Sequence, residues 1–463
     1  MQLMVERLPG STPLSRLFPA FADLSHAVWL DSAMGPGRLG RYSYITADPY
    51  LVLQSKGTRV DLMFKDGRLV SKEGNPFDQL QAVLRQSPTD TVPGIPPFQG
   101  GALGYFAYEL AHHLEDLPRH AVDDFGLPEM YLGFYDWALA RDHQNGDTWL
   151  MALYDKDARA AAKRLAWVKE RLRLAIAAIT LPTAAGSGPR LDLRSNFTHE
   201  KYVAAVRRVK EYIAAGDTYQ VNLSQRFDTP LKAAPWQLFL RLHDVNPAPY
   251  AAYLGFDGVQ VVSASPEQFL KVECGGVETR PIKGTRPRGM SPEQDRTLAE
   301  ELVCSEKDKA ENLMIVDLLR NDLGRVCRTG SISVPQLWAL ESYPTLHHLV
   351  STVVGELPPE RDNVELLKAC FPGGSVTGAP KIRAIEIIDE LEPTQRSVYC
   401  GAIGYLGFNG AMNTSIVIRT IVCTRGRAYF QVGGGIVADS DPEAEYLETL
   451  DKARGLVMAL ESL

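Results

Sequence analysis

Strand-like runs come in consecutive groups along this chain. YSYITADPYLVLQS and ALGYFAYEL lie in its first part. YQVNLSQRF alternates apolar and polar residues, and LGFDGVQVVSAS, VYCGAIGYLGF, TSIVIRTIVC and AYFQVGGG come later. Parallel neighbours need a long crossover between successive strands, usually a helix, whereas consecutive antiparallel strands join by short turns. The grouping therefore predicts an α+β protein with large, largely antiparallel sheets. Helical patterns are interleaved, notably DARAAAKRLAWVKERLRLAIAAI, SEKDKAENLMIVDLLRNDL and the terminal DPEAEYLETLDKARGLVMALESL. The first reads as a docked amphipathic helix with a solvated basic face. Thr198 as N-cap, Glu200 in the first turn and Gly216 as terminator predict another helix through Ala215.

TLPTAAGSGPRLDLRSN, rich in Pro, Gly and Ser, connects an N-terminal lobe, 1–185, to a second region, 195–463. The 463 residues are 45% hydrophobic, enough for a large core. A net charge of −7 gives no basic field for nucleic acid. MQLMVERLPGST has no basic start and no apolar stretch, so no signal peptide is expected. No apolar run reaches the ~18 residues of a membrane span. The cysteines (274, 304, 327, 370, 400 and 423) form no CxxC and no zinc-like pairing with histidine, as expected of reduced thiols in a cytoplasmic protein.

In the terminal helix Asp441 is the cap, Pro442 suits the first turn and Glu443 favours the positive end. Glu445, Glu448 and Lys452 share an arc of about 60°. Leu447, Leu450, Val457 and Leu460 lie on another arc and are expected to face the core. Taken alone, the charged arc reads as a solvated face with an ordinary i,i+4 pair. Glu311 is in line with Ile315, Leu318 and Asp322, and a carboxylate on a partly apolar face needs a partner. Two such helices brought together would supply oxygen ligands for a hard ion, Mg²⁺ rather than zinc; surface charge is the alternative.

Arg419 lies in TSIVIRTIVC, apolar on both faces. A buried arginine must meet an anion, either a structural carboxylate or a ligand carboxylate. Gly433, Gly434 and Gly435 are expected in a turn between strand and helix, where backbone N–H groups either cradle an anion or form a bare turn. FPGGSVTGAPK fails the phosphate-loop pattern because Ala379 and Pro380 follow Gly378. His347 and His348, adjacent in a strand, point to opposite faces, so one at most faces any given site. In RPIKGTRPRG, Lys283 is surrounded by Arg280, Arg286 and Arg288. Repulsion or burial would favour its neutral, nucleophilic form. The alternatives are a surface lysine that pairs an anion and a Schiff-base lysine.

SPEQF, PIKGTRPRG, AENLMIVDLLRNDLGRV, HHLVS, FPGGSVTGAPK, IRT, GGGIVADS and LETLDKAR, in this order from about residue 200 to the C-terminus, resemble the chorismate-utilising enzymes. That family includes the anthranilate, isochorismate and salicylate synthases. The N-terminal half resembles the variable portion of its amine-transferring members. The resemblance implies two packed sheets with helices outside and chorismate at the sheet edge. Within the family, an alanine in place of Lys283 marks the anthranilate synthases, and a lysine in place of Gln220 marks the enzymes that add water. Gln220 with Lys283 resembles the branch that aminates chorismate at C4 on the way to para-aminobenzoate and folate. The alternatives are the anthranilate branch and a non-catalytic paralogue that binds chorismate or tryptophan.

By the same resemblance Lys283 is the nucleophile, Glu267 the general acid/base and His348 the active-site histidine. Gly284, Thr285, Thr377, Tyr399, Arg419, Gly433, Gly434, Gly435 and Lys452 contact or support the substrate. Glu311, Glu445 and Glu448 hold Mg²⁺. Ser32 with Pro249, Tyr250 and Ala251 matches a tryptophan pocket, although Trp29 and Asp31 depart from the family's pattern. None of the cysteines stands in Gly-x-Cys-x-Gly, so ammonia is expected free or from a separate glutamine amidotransferase subunit.

Overall fold

A computed structural model of the chain describes residues 1–9, 12–32, 39–178, 191–343 and 346–463, with the backbone alone for 175–178. Its strands form two twelve-stranded sheets. Paired strands run antiparallel, as the grouping of the runs predicts. LGFDGVQVVSAS becomes the end of Tyr250–Phe256 and all of Val259–Ser265, a hairpin turned at Asp257-Gly258 with Gly258 at φ +78°.

Each sheet takes strands from both halves of the chain. In the first, Ala27–Asp31 pairs with Tyr250–Phe256; in the second, Gly101–Phe106 pairs with Ala402–Gly407. The division near residues 185–195 thus does not separate two sheets. Val28, Leu254 and Val261 of the first sheet meet Leu103, Tyr131 and Ile403 of the second in a shared core. Helices Ala158–Ala178, Pro235–Val245 and Pro442–Glu461 cover the outside of the first sheet. Pro76–Leu84, Glu306–Gly324 and Asn363–Cys370 cover the second. No helix among the described residues is long and apolar enough to cross a membrane, and all six cysteines are unpaired.

Three local expectations are corrected. TSIVIRTIVC is not one strand: Met412–Ile416 belongs to the second sheet and Thr420–Thr424 to the first. The chain crosses between them through Arg419, whose φ is +51°. Gly433–Gly435 do not form a turn; they continue strand Arg427–Ile436 and pair with Ser224, Leu223 and Asn222. In the terminal helix Leu447 and Leu450 face outward, 57% and 39% exposed. The buried stripe is Glu445, Thr449, Ala453, Leu456, Ala459 and Leu460. Small residues along that stripe let the helix lie close on the glycine strand, so bulky leucines are left outside and a carboxylate is carried inward. The helix after Thr198 forms over His199–Ala214, with the Thr198 side chain accepting from the Lys201 amide and Gly216 at φ +84°.

Candidate active site

The site assembles where the terminal helix crosses the glycine strand. A Cβ on Gly434 would lie 3.1 Å from Glu445 Oε2 and 3.6 Å from both Glu448 Oε1 and Lys452 Nζ. A Cβ on Gly435 would lie 2.8 Å from Gln220 Nε2 and 3.2 Å from Lys283 Nζ. The glycines are therefore a requirement of close approach: five functional groups converge on a bare backbone. Lys452 Nζ donates to Gly433 O at 2.8 Å and pairs with Glu448 Oε1 at 2.6 Å. Glu445 Oε1 accepts from Ser440 Oγ at 2.6 Å.

Lys283 lies in strand Ile282–Pro287, and its neighbours are not the arginines that flank it in sequence. Arg280 pairs with Glu341, Arg286 with Asp308 at 3.1 Å and Arg288 with Asp295 at 2.7 Å. Burial lowers the pKa of the Lys283 amine; Glu311 works against it, Lys452 adds to it, and Glu267 and Glu448 again oppose it. Of the two expected causes, burial is the one that acts; the repulsion comes from Lys452 and not from the arginines, each of which is held by a carboxylate elsewhere. Gly284 follows at φ +82°, where a Cβ would sit 2.8 Å from Leu302 Cδ1.

Glu267 is buried, and burial raises its pKa to about 7 against the opposing pull of Ser375, the Lys283 charge and the Ile282 amide. Glu311 and Glu445 are also raised, first by burial and then in part by Glu448. For Glu448, whose side chain is 52% exposed, desolvation pushes the pKa up, but Lys452 together with Lys307 and Lys283 brings it below the ordinary value. Among the described residues no three His, Cys, Asp or Glu side chains are gathered as a ready-made metal site.

The two histidines part as strand alternation requires. His347 Nε2 meets Asp295 at 2.9 Å on the far side. His348 Nδ1 meets Thr285 Oγ1 at 2.9 Å on the site's side. Burial and then the Arg419 charge lower the His348 pKa to about 4, so its ring is neutral at pH 7. Arg419 donates to the Lys452 carbonyl and has no carboxylate partner among the described residues. Among the described residues one structural carboxylate, Glu448, acts on it through its charge without forming an ion pair. Tyr399 is buried beside it and contributes to its electrostatic surroundings. Thr377 is fully buried, and its hydroxyl donates to Gly373 O and Gly374 O at 3.1 and 3.3 Å. It shapes the wall of the site from behind.

Sequence reasoning missed two ion pairs beneath this wall, one buried and one part-buried. Arg396 and Glu392 pair at 2.7 Å, and Lys381 pairs with Asp322 at 2.6 Å. Gln220 was singled out only by resemblance; among the described residues its amide is fully buried with neither Nε2 nor Oε1 hydrogen-bonded.

A separate cavity of about 250 Å³ lies between the sheets, lined by Ser32, Pro249, Tyr250 and Ala251 with Arg41, Glu273 and others. All four residues expected there thus line one space. Of the two departures from the pattern, Trp29 packs on Phe18 and Phe239 instead, whereas Asp31 lines the same cavity while paired with His243 at 2.8 Å.

A desolvated lysine and a part-buried arginine without an ion-pair partner among the described residues, set around a glycine strand, suit a small anion. The chain belongs to the chorismate binding enzyme family, which it matches over residues 26–458. It is 44% identical to the aminodeoxychorismate synthase component 1 of Salmonella typhimurium over 446 residues, 96% of this chain and 95% of that one. It is 39% identical to the anthranilate synthase component 1 of Acetivibrio thermocellus over 459 residues, 97% of this chain and 93% of that one. The crystal structure of anthranilate synthase component I from Streptococcus pneumoniae superposes with a TM-score of 0.80 at 33% identity, covering 91% of this chain and 93% of that one.

Proposed function

We propose that this chain is the chorismate-aminating component of an aminodeoxychorismate synthase, converting chorismate and ammonia to 4-amino-4-deoxychorismate and water. The observation that carries this is Lys283: a desolvated amine, freed from its arginine neighbours, beside a carboxyl of pKa about 7 and the Gln220 amide. The neutral amine attacks C2 of the ring while both conjugated ring double bonds shift and the C4–O bond breaks. Glu267 gives the departing hydroxyl its proton. Ammonia then bonds to C4, both double bonds return to their places, and the C2–Nζ bond breaks to release lysine. The Glu267 carboxylate takes back the proton that the incoming amine loses. The enolpyruvyl group stays on throughout.

Arg419 and Tyr399, with the backbone of Gly434 and Gly435, receive the pyruvyl carboxylate. Thr285 and neutral His348 border the ring. Glu311, Glu445 and Glu448 would hold Mg²⁺: the donors are all oxygen, and two of the carboxyls are raised by burial and by a third, an imbalance that a divalent cation relieves. When bound, the ion neutralises the substrate's ring carboxylate. Lys452 keeps Glu448 in place. Ammonia comes from a separate glutamine amidotransferase, since no cysteine here stands in a nucleophile elbow; the "component 1" in the relatives' names fits a two-part enzyme. The unpaired thiols suit the cytoplasm.

The test is the product formed from chorismate, Mg²⁺ and ammonium at alkaline pH. The expected compound keeps the enolpyruvyl group, carries an amine for the C4 hydroxyl, and yields 4-aminobenzoate when a lyase is added. Fluorescent anthranilate instead would assign the chain to the other amine-transferring branch. The second cavity supports a second reading, a tryptophan site. Isothermal titration with tryptophan is expected to show saturable heat that Ser32→Trp abolishes; no heat with the wild-type chain would remove it.

A further inference from the structure

The proposed chemistry does not use Arg396, yet few side chains in the molecule make more buried polar contacts. It is 1% exposed, and Glu392 beside it is 3%. Its Nε and Nη2 donate to Glu392 at 2.9 and 2.7 Å, Nη1 to Val376 O at 2.9 Å, and Nη2 also to Asn222 O at 2.6 Å. The guanidinium lies 4.9 Å from the ring centre of Tyr108 and 5.8 Å from that of Tyr399. Glu392 in turn accepts from the Ser224 amide and hydroxyl at 2.8 and 2.9 Å.

These contacts converge on three parts of the site. Val376 is in the turn Gly374–Val376, which also carries Ser375. Asn222 and Ser224 sit in strand Gln220–Pro230, opposite Gly435 and Gly433. Tyr399 borders the place of the substrate carboxylate. The same turn is tied to that strand by the Asn222 amide, which donates to Thr377 O at 2.8 Å. At its other side Lys381 Nζ reaches Cys370 O at 2.8 Å while paired with Asp322. A loop closed by one buried and one largely buried cation, each neutralised by a buried carboxylate, is costly to desolvate and strongly specified in position. A core that needed stability alone would more simply fill this volume with apolar groups.

What the loop positions is Ser375. Its side chain faces Glu267, whose other charged or titratable neighbours are Lys283 and Cys400. We propose that Arg396, clamped by Glu392, is a positioning residue that fixes the 373–378 turn so that Ser375 stays against the Glu267 carboxyl. This deepens the chorismate-amination reading and rests on it for the role of Glu267. Arg396 touches none of the reacting atoms; it acts through the loop.

The experiment compares Arg396→Lys, Ser375→Ala and the double variant with the wild type. Lysine keeps the charge but cannot span Glu392, Val376 O and Asn222 O together. The Glu267 carboxyl is titrated in the free protein by infrared difference spectroscopy, with Glu267→Gln subtracted to isolate its band. Loss of the Ser375 contact raises the midpoint, because that contact favours the ionised form. Arg396→Lys is expected to raise it in the same direction, and the double variant to go no further than Ser375→Ala alone. With chorismate and ammonium, kcat should fall about tenfold or more while KM stays within about threefold. A midpoint unmoved by Arg396→Lys, or shifts that simply add, would overturn the proposal. If Arg396→Lys does not fold, Glu392→Gln takes its place with the same expected and overturning results. A wild-type chain that turns over no chorismate would defeat the functional reading, while the infrared titration would still decide the linkage between Arg396 and Glu267.

Discussion

Replacing Glu267 with glutamine lowers kcat/KM for chorismate by roughly 10²–10⁴-fold, the span of a lost general acid, and changes the shape of its pH profile. Glu267 and Lys283 feel each other's charge. The productive pair, a protonated carboxyl beside a neutral amine, holds one proton. So does the carboxylate–ammonium pair, and the two are in rapid exchange. Wild-type kcat/KM therefore rises with pH through the lower step, near the Glu267 value of about 7. It is level while the pair keeps one proton, and falls through the lowered Lys283 value. Glutamine removes the first step. The variant's profile should only rise, through the Lys283 step alone. That step should itself lie lower, because the Glu267 charge raises it. Initial rates across pH, with total ammonium adjusted to hold free ammonia constant, check this. A variant that keeps the acid limb would assign that limb, and the proton, to another group.

The sheets were legible in the sequence because period-two alternation and grouped strands are local signals, and local signals set antiparallel pairing. The same signals failed where tertiary contact decides. Nothing in TSIVIRTIVC marks the point where Arg419 leaves one sheet for the other; the residues on both sides are equally apolar. Leu447 and Leu450 form a sound apolar arc, but small residues on the opposite side allow a closer approach to Gly433–Gly435, and close approach won. The crowd of arginines around Lys283 was an effect of sequence distance, since Asp295, Asp308 and Glu341 draw all three away.

The candidate site was legible for a different reason. Its motifs were read through resemblance, and the fold brings Lys283, Gln220, Glu445, Glu448 and Lys452 to one strand of glycines. Arg396 was not readable in either way. Its acceptors at Val376 and Asn222 are distant in sequence, and in QRSVYC it looks like any loop arginine. Long-range clamps of this kind leave no periodic trace.

Lys283→Ala is expected to abolish covalent capture of chorismate and to lower the rate of C4 amination by about 10²-fold or more, at least ~2.7 kcal/mol on the barrier. With Mg²⁺ and chorismate but no ammonia, the wild-type chain should gain the mass of chorismate less water, and peptide mapping should place it on Lys283. The alanine variant should gain nothing. Lys283→Arg should behave alike, because a guanidinium stays protonated and cannot attack. Whatever rate survives in Lys283→Ala comes from direct attack of ammonia at C4, which still needs a proton from Glu267. Its pH dependence then reverses the first prediction. At constant free ammonia the residual rate is full at low pH and falls as Glu267 ionises. That fall should come above the wild-type value of about 7, because the positive charge that held it down has gone. The two variants together separate a shared proton from two independent groups. If Glu267→Gln rises and Lys283→Ala falls, one proton passes between a carboxyl and an amine at this glycine strand. If both keep the bell of the wild type, neither residue holds it. An adduct that persists in Lys283→Ala at another side chain would move the nucleophile elsewhere in the same site.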